Sequence, residues 1–260
     1  MKKTILCILL LMLFADVCYA GSPIQAVIAR RNSSATENMC TDGDSDILCE
    51  TFDTASGYDN SWTEVTGGTS AINPDSANVG NFYCDTSTES LSLTRGDTDV
   101  SVKYVFASSS TTSVYALFYV KMDSIGSLTT TGRLMASIIR SDDTANTMAI
   151  NIKIGSDANH YTLSFSHRDV EEALISTAAA VDLTMGVWHQ VEIFWLWNTD
   201  PGVSVTVDGT KYTPSAGNTE TSDNVGYKSS GFTLSAITVP YTIGFDNIKI
   251  DGTAAPACVD

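Results

Sequence analysis

The sequence predicts an all-β chain folded as a two-sheet antiparallel sandwich of jelly-roll type. Three observations predict it. More than ten short runs of alternating apolar residues recur with turn signals between them, whereas no segment sustains the i, i+3, i+4 apolar spacing of a helix. The stretch WHQVEIFWLWNTDPGVSVTVDGTKY, from Trp188 to Tyr212, contains two strand signals and the turns that fold them into a meander. Many short strands with closely spaced turns bury their apolar faces by stacking into two layers.

From the N-terminus, Lys2 and Lys3 precede an apolar run from Ile5 to Ala15 and small residues ending at Ala20. Residues 1–20 therefore read as a secretory signal peptide, cleaved after Ala20. The run stops at Asp16, short of the roughly 20 apolar residues that span a bilayer. The expected mature chain is secreted, periplasmic or held at the cell surface, with no membrane span. Residues 21–45 are rich in Ser, Asn, Thr and Gly without a sustained period, and read as an extended lead-in. Residues 46–260 then form one sandwich domain, a length that a single core can fill.

The clearest strands are expected at 46–52, 99–107, 113–122, 132–140, 147–154, 160–167, 188–197, 203–207, 231–237 and 241–250, with smaller ones near Trp62, Tyr83, Leu91 and Tyr212. Val100, Val102, Tyr104 and Phe106 share one face, as do Val114, Ala116, Phe118 and Val120, and Met148, Ile150, Ile152 and Ile154. These are core faces. Ser101, Lys103 and Val105 read as ordinary solvent positions, but Tyr115, Leu117 and Tyr119 form an aromatic outer face that needs either a cover or a ligand. In the run from Trp188, Val191, Ile193 and Trp195 alternate with Gln190, Glu192 and Phe194. Pro201 breaks the ladder, Val203, Val205 and Val207 resume it, and Asp208-Gly209 is a two-residue hairpin signal. In the last strand Tyr241, Ile243 and Phe245 alternate on one parity and Ile248 and Ile250 on the other. One extra residue must be absorbed at Asp246-Asn247, which is the mark of a β-bulge.

The net charge of −16 repels nucleic acid and anionic membrane surfaces, so nucleic-acid binding is not expected. Cys40, Cys49, Cys84 and Cys258 remain after processing, and an even count in an exported chain implies two disulfides. A zinc site is disfavoured, because there is no CxxC pair and His160, His167 and His189 are scattered.

WHQVEIFWLW followed by a turn and VSVTVDG resembles the Trp-His-x-Val motif and Val-Asp-Gly hairpin of laminin-G-like domains. SVYALFYVKMDSI and YTIGFDNIKIDG resemble a middle strand and the last strand of the wider concanavalin A-like lectin/glucanase superfamily. The resemblance runs from about Asp46 to Gly252 and implies two stacked sheets, with carbohydrate usually bound on a concave face or at a loop rim. The catalytic patterns of enzymes in that superfamily are missing. No strand carries the alternating carboxylates of family-16 glycoside hydrolases, and Glu192 has Gln190 and Phe194 as its same-face neighbours. The Arg, Gln-x-His and Tyr convergence of alginate lyases is also absent.

The resemblance further implies a structural calcium between the first and last strands, with Glu50, Asp53 and Asp246 as candidate oxygen ligands. A bulge whose backbone Asp246 merely hydrogen-bonds is the alternative. For a glycan the candidate residues are Tyr115, Tyr119, Glu192 and Trp197, since aromatic rings stack on sugars while carboxylates and amides fix hydroxyls. In such a sandwich the first and last strands are antiparallel neighbours, which favours Cys40 with Cys258 and Cys49 with Cys84. The competing connectivity joins Cys40 to Cys49 and Cys84 to Cys258. The leading functional expectation is a non-enzymatic module that binds a polysaccharide, glycan or other surface polymer. A polysaccharide lyase or glycoside hydrolase is the second, and a structural or interaction protein of the cell envelope the third.

Overall fold

All regular secondary structure among the described residues is strand. The computed structural model describes residues 48–52, 62–77, 79, 89–105, 113–124, 133–140, 146–168, 174–176, 180–196, 203–212, 227–234 and 241–251. The chain divides into two units, Met1–Thr36 and Glu37–Asp260, and every described residue belongs to the second. In chain order the strands are β1 (Leu48–Glu50), β2 (Trp62–Val65), β3 (Ala71–Asp75), β4 (Ser90–Arg95) and β5 (Val100–Val105). Next come β6 (Ser113–Ser124), β7 (Arg133–Arg140), β8 (Asn146–Ile154), β9 (His160–Arg168), β10 (Leu174–Ser176) and β11 (Val181–Thr184). The last five are β12 (His189–Leu196), β13 (Val203–Val207), β14 (Thr210–Tyr212), β15 (Tyr227–Leu234) and β16 (Tyr241–Asp251).

They form two eight-stranded sheets. The first runs β14-β13-β12-β6-β16-β4-β3, with β1 also on β16; the second runs β10-β9-β8-β7-β15-β5-β2, with β11 also on β9. Every pairing is antiparallel, including that of the first and last strands, in which Leu48 faces Ile250 and Glu50 faces Ile248. One core lies between the sheets. Leu93, Val120, Met122, Val205, Ile243 and Phe245 enter it from the first sheet, and Val100, Val102, Ile152, Tyr161 and Leu163 from the second, all fully buried. The alternation read from the sequence is thus the division between inside and outside.

The parity change in β16 is a bulge. Asp246 pairs with Tyr119 and Lys249 with Leu117, so three steps on β16 meet two on β6. Asn247 takes a positive φ of 46° there, and Asp246 Oδ1 accepts the Asn247 N–H at 2.9 Å. The side chains of Phe245 and Ile248 both enter the core across this step.

Three strands escaped the sequence reading. β3 contains Pro74, which argues against a strand, but β3 lies at a sheet edge where a missing N–H breaks no ladder. β10 and β11 are short additions to β9. β15 begins earlier than the expected 231–237, because the polar run Tyr227–Ser230 finds partners on β7. The expected strand near Tyr83 lies outside the described residues.

Candidate functional site

The first sheet's outer face gathers three of the four expected ligand residues. Tyr115, Leu117 and Tyr119 on β6 pair with Phe194, Glu192 and Gln190 on β12. Tyr115 stacks on Phe194 with ring centroids 4.5 Å apart. The Tyr119 hydroxyl donates to Gln190 Oε1 at 3.2 Å, and Gln190 Nε2 donates to Glu192 Oε1 at 2.6 Å. Yet Tyr119 is only 6% exposed and Leu117 4%, so this part of the face is covered. Burial, with the charges of Glu192, Asp246 and Asp208, pushes the Tyr119 phenol pKa upward. The expectation that Tyr119 offers its ring to a ligand is therefore corrected: the ring is packed and its hydroxyl used. Trp197 lies outside the described residues.

Other polar groups on this face are committed as well. Lys121 is buried, pairs with Asp123 Oδ1 at 3.0 Å and lies 5.2 Å from the Trp188 ring centroid. The Trp188 ring also covers Gly244, where an added Cβ would meet Cη2 at 3.0 Å. The Trp-His and Asp-Gly motifs meet at the sheet edge. His189 Nδ1 stands 2.6 Å from Asp208 Oδ2 and its Nε2 3.0 Å from the Thr184 carbonyl. Asp208 Oδ1 accepts the Gln190 N–H at 2.9 Å. This places the motif's chemistry in local structure: one imidazole and one carboxylate fasten the hairpin turn to β12.

Of the residues expected to hold a calcium, Glu50 and Asp246 are both fully buried. Glu50 shares its side of β1 with the core residue Leu48, and its carboxylate accepts the Phe52 N–H at 3.1 Å and the Trp62 indole N–H at 2.8 Å. Asp246 pairs with Tyr119 on the opposite side of the sheet. Asp53, the third expected ligand, lies outside the described residues. No group of three His, Cys, Asp or Glu side chains gathers as a metal site among the described residues. Cys49 is disulfide-bonded. The expected pairings involve Cys40, Cys84 and Cys258, which lie outside the described residues.

The second sheet's outer face is built differently. Opposite the core residues Val102, Ile150, Ile152, Leu163 and Phe165 it carries Ser101, Lys103, Asn151, Lys153, Ser164 and Ser166. Register brings them together: Asn151 pairs with Ser164, Lys153 with Thr162 and Ala149 with Ser166. Asn151 Nδ2 lies 3.5 Å from Ser166 Oγ. Ser101, Lys103, Lys153 and Ser164 are half-buried and make no hydrogen bond or ion pair with other described residues. A row across five strands, Lys103–Gly231–Ser137–Ala149–Ser166, has only small residues after its lysine. Sequence reasoning passed over Lys103 and Ser101 as ordinary solvent positions. The available signal was the polar parity of β5, β8 and β9, which gains meaning only when pairing lays those strands side by side.

No family model matches the chain, and no curated protein does. Solved structures do. The endo-beta-1,4-glucuronan lyase from the fungus Trichoderma reesei superposes with a TM-score of 0.56 at 13% identity, over 82% of this chain and 100% of that one. The shared fold is a two-sheet jelly-roll sandwich. Cellulose induced protein Cip1 matches this jelly roll with a TM-score of 0.55 at 12% identity, over 79% of this chain and 97% of its own. The T. cruzi calreticulin globular domain matches with a TM-score of 0.54 at 13% identity, over 80% of this chain and 89% of its own. At such identities the likeness carries the jelly-roll architecture alone. Among the described residues no helix is long and apolar enough to cross a membrane.

Proposed function

We propose that the exported chain binds a polysaccharide on the outer face of its second sheet and holds it without cleaving it. One observation carries this reading: Lys153 and Ser164 stand half-exposed beside Asn151, Ser101 and Lys103 stand half-exposed three strands away on the same sheet, and none of these four side chains bonds another described residue. Hydroxyl, amide and ammonium groups on a rigid sheet are the donors and acceptors that fix sugar hydroxyls. Hydrolysis by the usual route needs two carboxylates flanking the scissile bond, and β5, β7, β8, β9 and β15 contain neither Asp nor Glu. The glucuronan lyase of the same fold acts on a polysaccharide, which is compatible with such a partner.

A glycan array, combined with assays for new reducing ends and for unsaturated products, tests the proposal. Binding without turnover, weakened by Asn151→Ala and Ser164→Ala, is the expected result. Turnover would replace it with a lyase or hydrolase reading. Absence of both binding and turnover would leave a structural role in the envelope.

A further inference from the structure

The two sheets sort charge. The adjacent strands β9, β8, β7, β15 and β5 hold six of the chain's 14 Lys and Arg residues, namely Lys103, Arg133, Arg140, Lys153, Arg168 and Lys228. They hold none of its 30 Asp and Glu. The strands of the first sheet carry Glu50, Asp75, Asp123, Glu192, Asp246 and Asp251 against Arg95, Lys121, Lys211 and Lys249, and the second sheet's own strand carboxylates stand on its outermost β2 (Glu64) and on β11 (Asp182). On a chain of net charge −16, this distribution makes the second sheet the place where the overall repulsion of an anion is locally reversed.

We infer that the polymer held there is an acidic polysaccharide, an inference that rests on the proposed binding at this face. A site for neutral sugars gains from carboxylates, which accept paired hydroxyls; their exclusion from five consecutive strands has a physical use when the ligand is itself an anion. Lys103 and Lys153 are half-exposed and make no ion pair with described residues. They lie three strands and four residues apart in register, about 20 Å from ordinary sheet spacings. That separation suits charges several sugar residues apart on one extended polymer rather than one small anion. Asn151 and Ser164, paired with each other next to Lys153, meet the polymer's hydroxyls. The carboxylates at the sheet's end are engaged locally: Asp182 accepts from the Ser156 N–H at 3.0 Å and from the Ser156 hydroxyl, and Asp157 bonds His160 at 2.7 Å. No described side chain on this outer face is aromatic, so nucleic acid lacks a ring on which to stack its bases.

The test compares polygalacturonate with the same polymer after reduction of its carboxyl groups, by calorimetry on the full mature protein. Polygalacturonate should bind about tenfold tighter, and raising salt from roughly 50 to 200 mM should remove most of that advantage. The double variant Lys103→Gln/Lys153→Gln should lose the advantage, binding both polymers with equal affinity, while its melting temperature stays unchanged. Equal binding of both polymers by the wild type would overturn the inference and leave the proposed function standing. Binding of neither would overturn both. Equally tight binding of a single-stranded oligodeoxynucleotide of matched charge would also overturn it, by showing that charge alone is read.

Discussion

The outer faces of the two sheets both carry polar residues among those described but use them in opposite ways. On the first sheet, Tyr119, Gln190 and Glu192 bond one another, Lys121 pairs with Asp123, and the middle of the face is covered. On the second, Ser101, Lys103, Lys153 and Ser164 are half-exposed and bond no described residue. The difference teaches that an aromatic outer face in a sequence is a weak sign of a ligand. Large rings lower their free energy by being covered, and a polar tip then bonds its neighbour. Small hydroxyls and lysines gain little from cover and remain available.

The comparison breaks most readily at Tyr119. If its ring is part of the packing, Tyr119→Ala should cost about 3–5 kcal/mol in urea unfolding; a loss of binding with unchanged stability would return it to the ligand. Glu50→Ala should cost about 2–3 kcal/mol, since the buried Phe52 N–H and Trp62 indole N–H would lose their acceptor. For the same reason a chelator should leave the melting temperature of the wild type unchanged, and a clear drop would show that Glu50 serves a cation. Asp208→Ala should cost about 1–2 kcal/mol by removing the acceptor of the Gln190 N–H and the partner of His189. Hydrogen exchange at Gln190 should quicken in that variant.

The idle face sharpens the contrast from the other side. Ser101→Ala and Ser164→Ala should change stability by less than about 0.5 kcal/mol, while weakening polysaccharide binding. A destabilisation as large as that at Tyr119 would mean that these hydroxyls are structural. The smallest effect concerns the exposed pair at the end of the second sheet. The hydrogen bond to Asp157 raises the His160 pKa above its ordinary value of 6.5, and the same bond holds Asp157 below 3.8. The histidine's contribution is present below its unfolded pKa and lost as pH rises through the folded one. That of the aspartate is present above its unfolded pKa and lost as pH falls through the folded one. The pair should therefore help most between those limits, and NMR titration of the His160 ring, with Asp157→Asn as reference, should show the raised midpoint.

The sequence by itself determined the local rules. Period-two alternation gave most strands and which side of each is buried, because a strand's side chains alternate wherever the strand sits. The shift from Phe245 to Ile248 located the bulge, since two core residues three apart cannot face one way along an uninterrupted strand. The Trp-His and Asp-Gly motifs marked residues that lock together, although their partners, the Thr184 carbonyl and the Gln190 N–H, follow from strand pairing. Only tertiary structure decided which outer face is covered and which is open. Tyr119 and Lys103 have the same outward parity on their strands, and no local pattern separates a covered residue from a bare one. Likewise, five strands without a carboxylate are scattered between residues 100 and 234 in the chain, and they become one continuous stretch of sheet free of carboxylates only when sheet topology sets them side by side. Burial and electrostatic fields depend on distances in space, and those are fixed by long-range pairing rather than by neighbours along the chain.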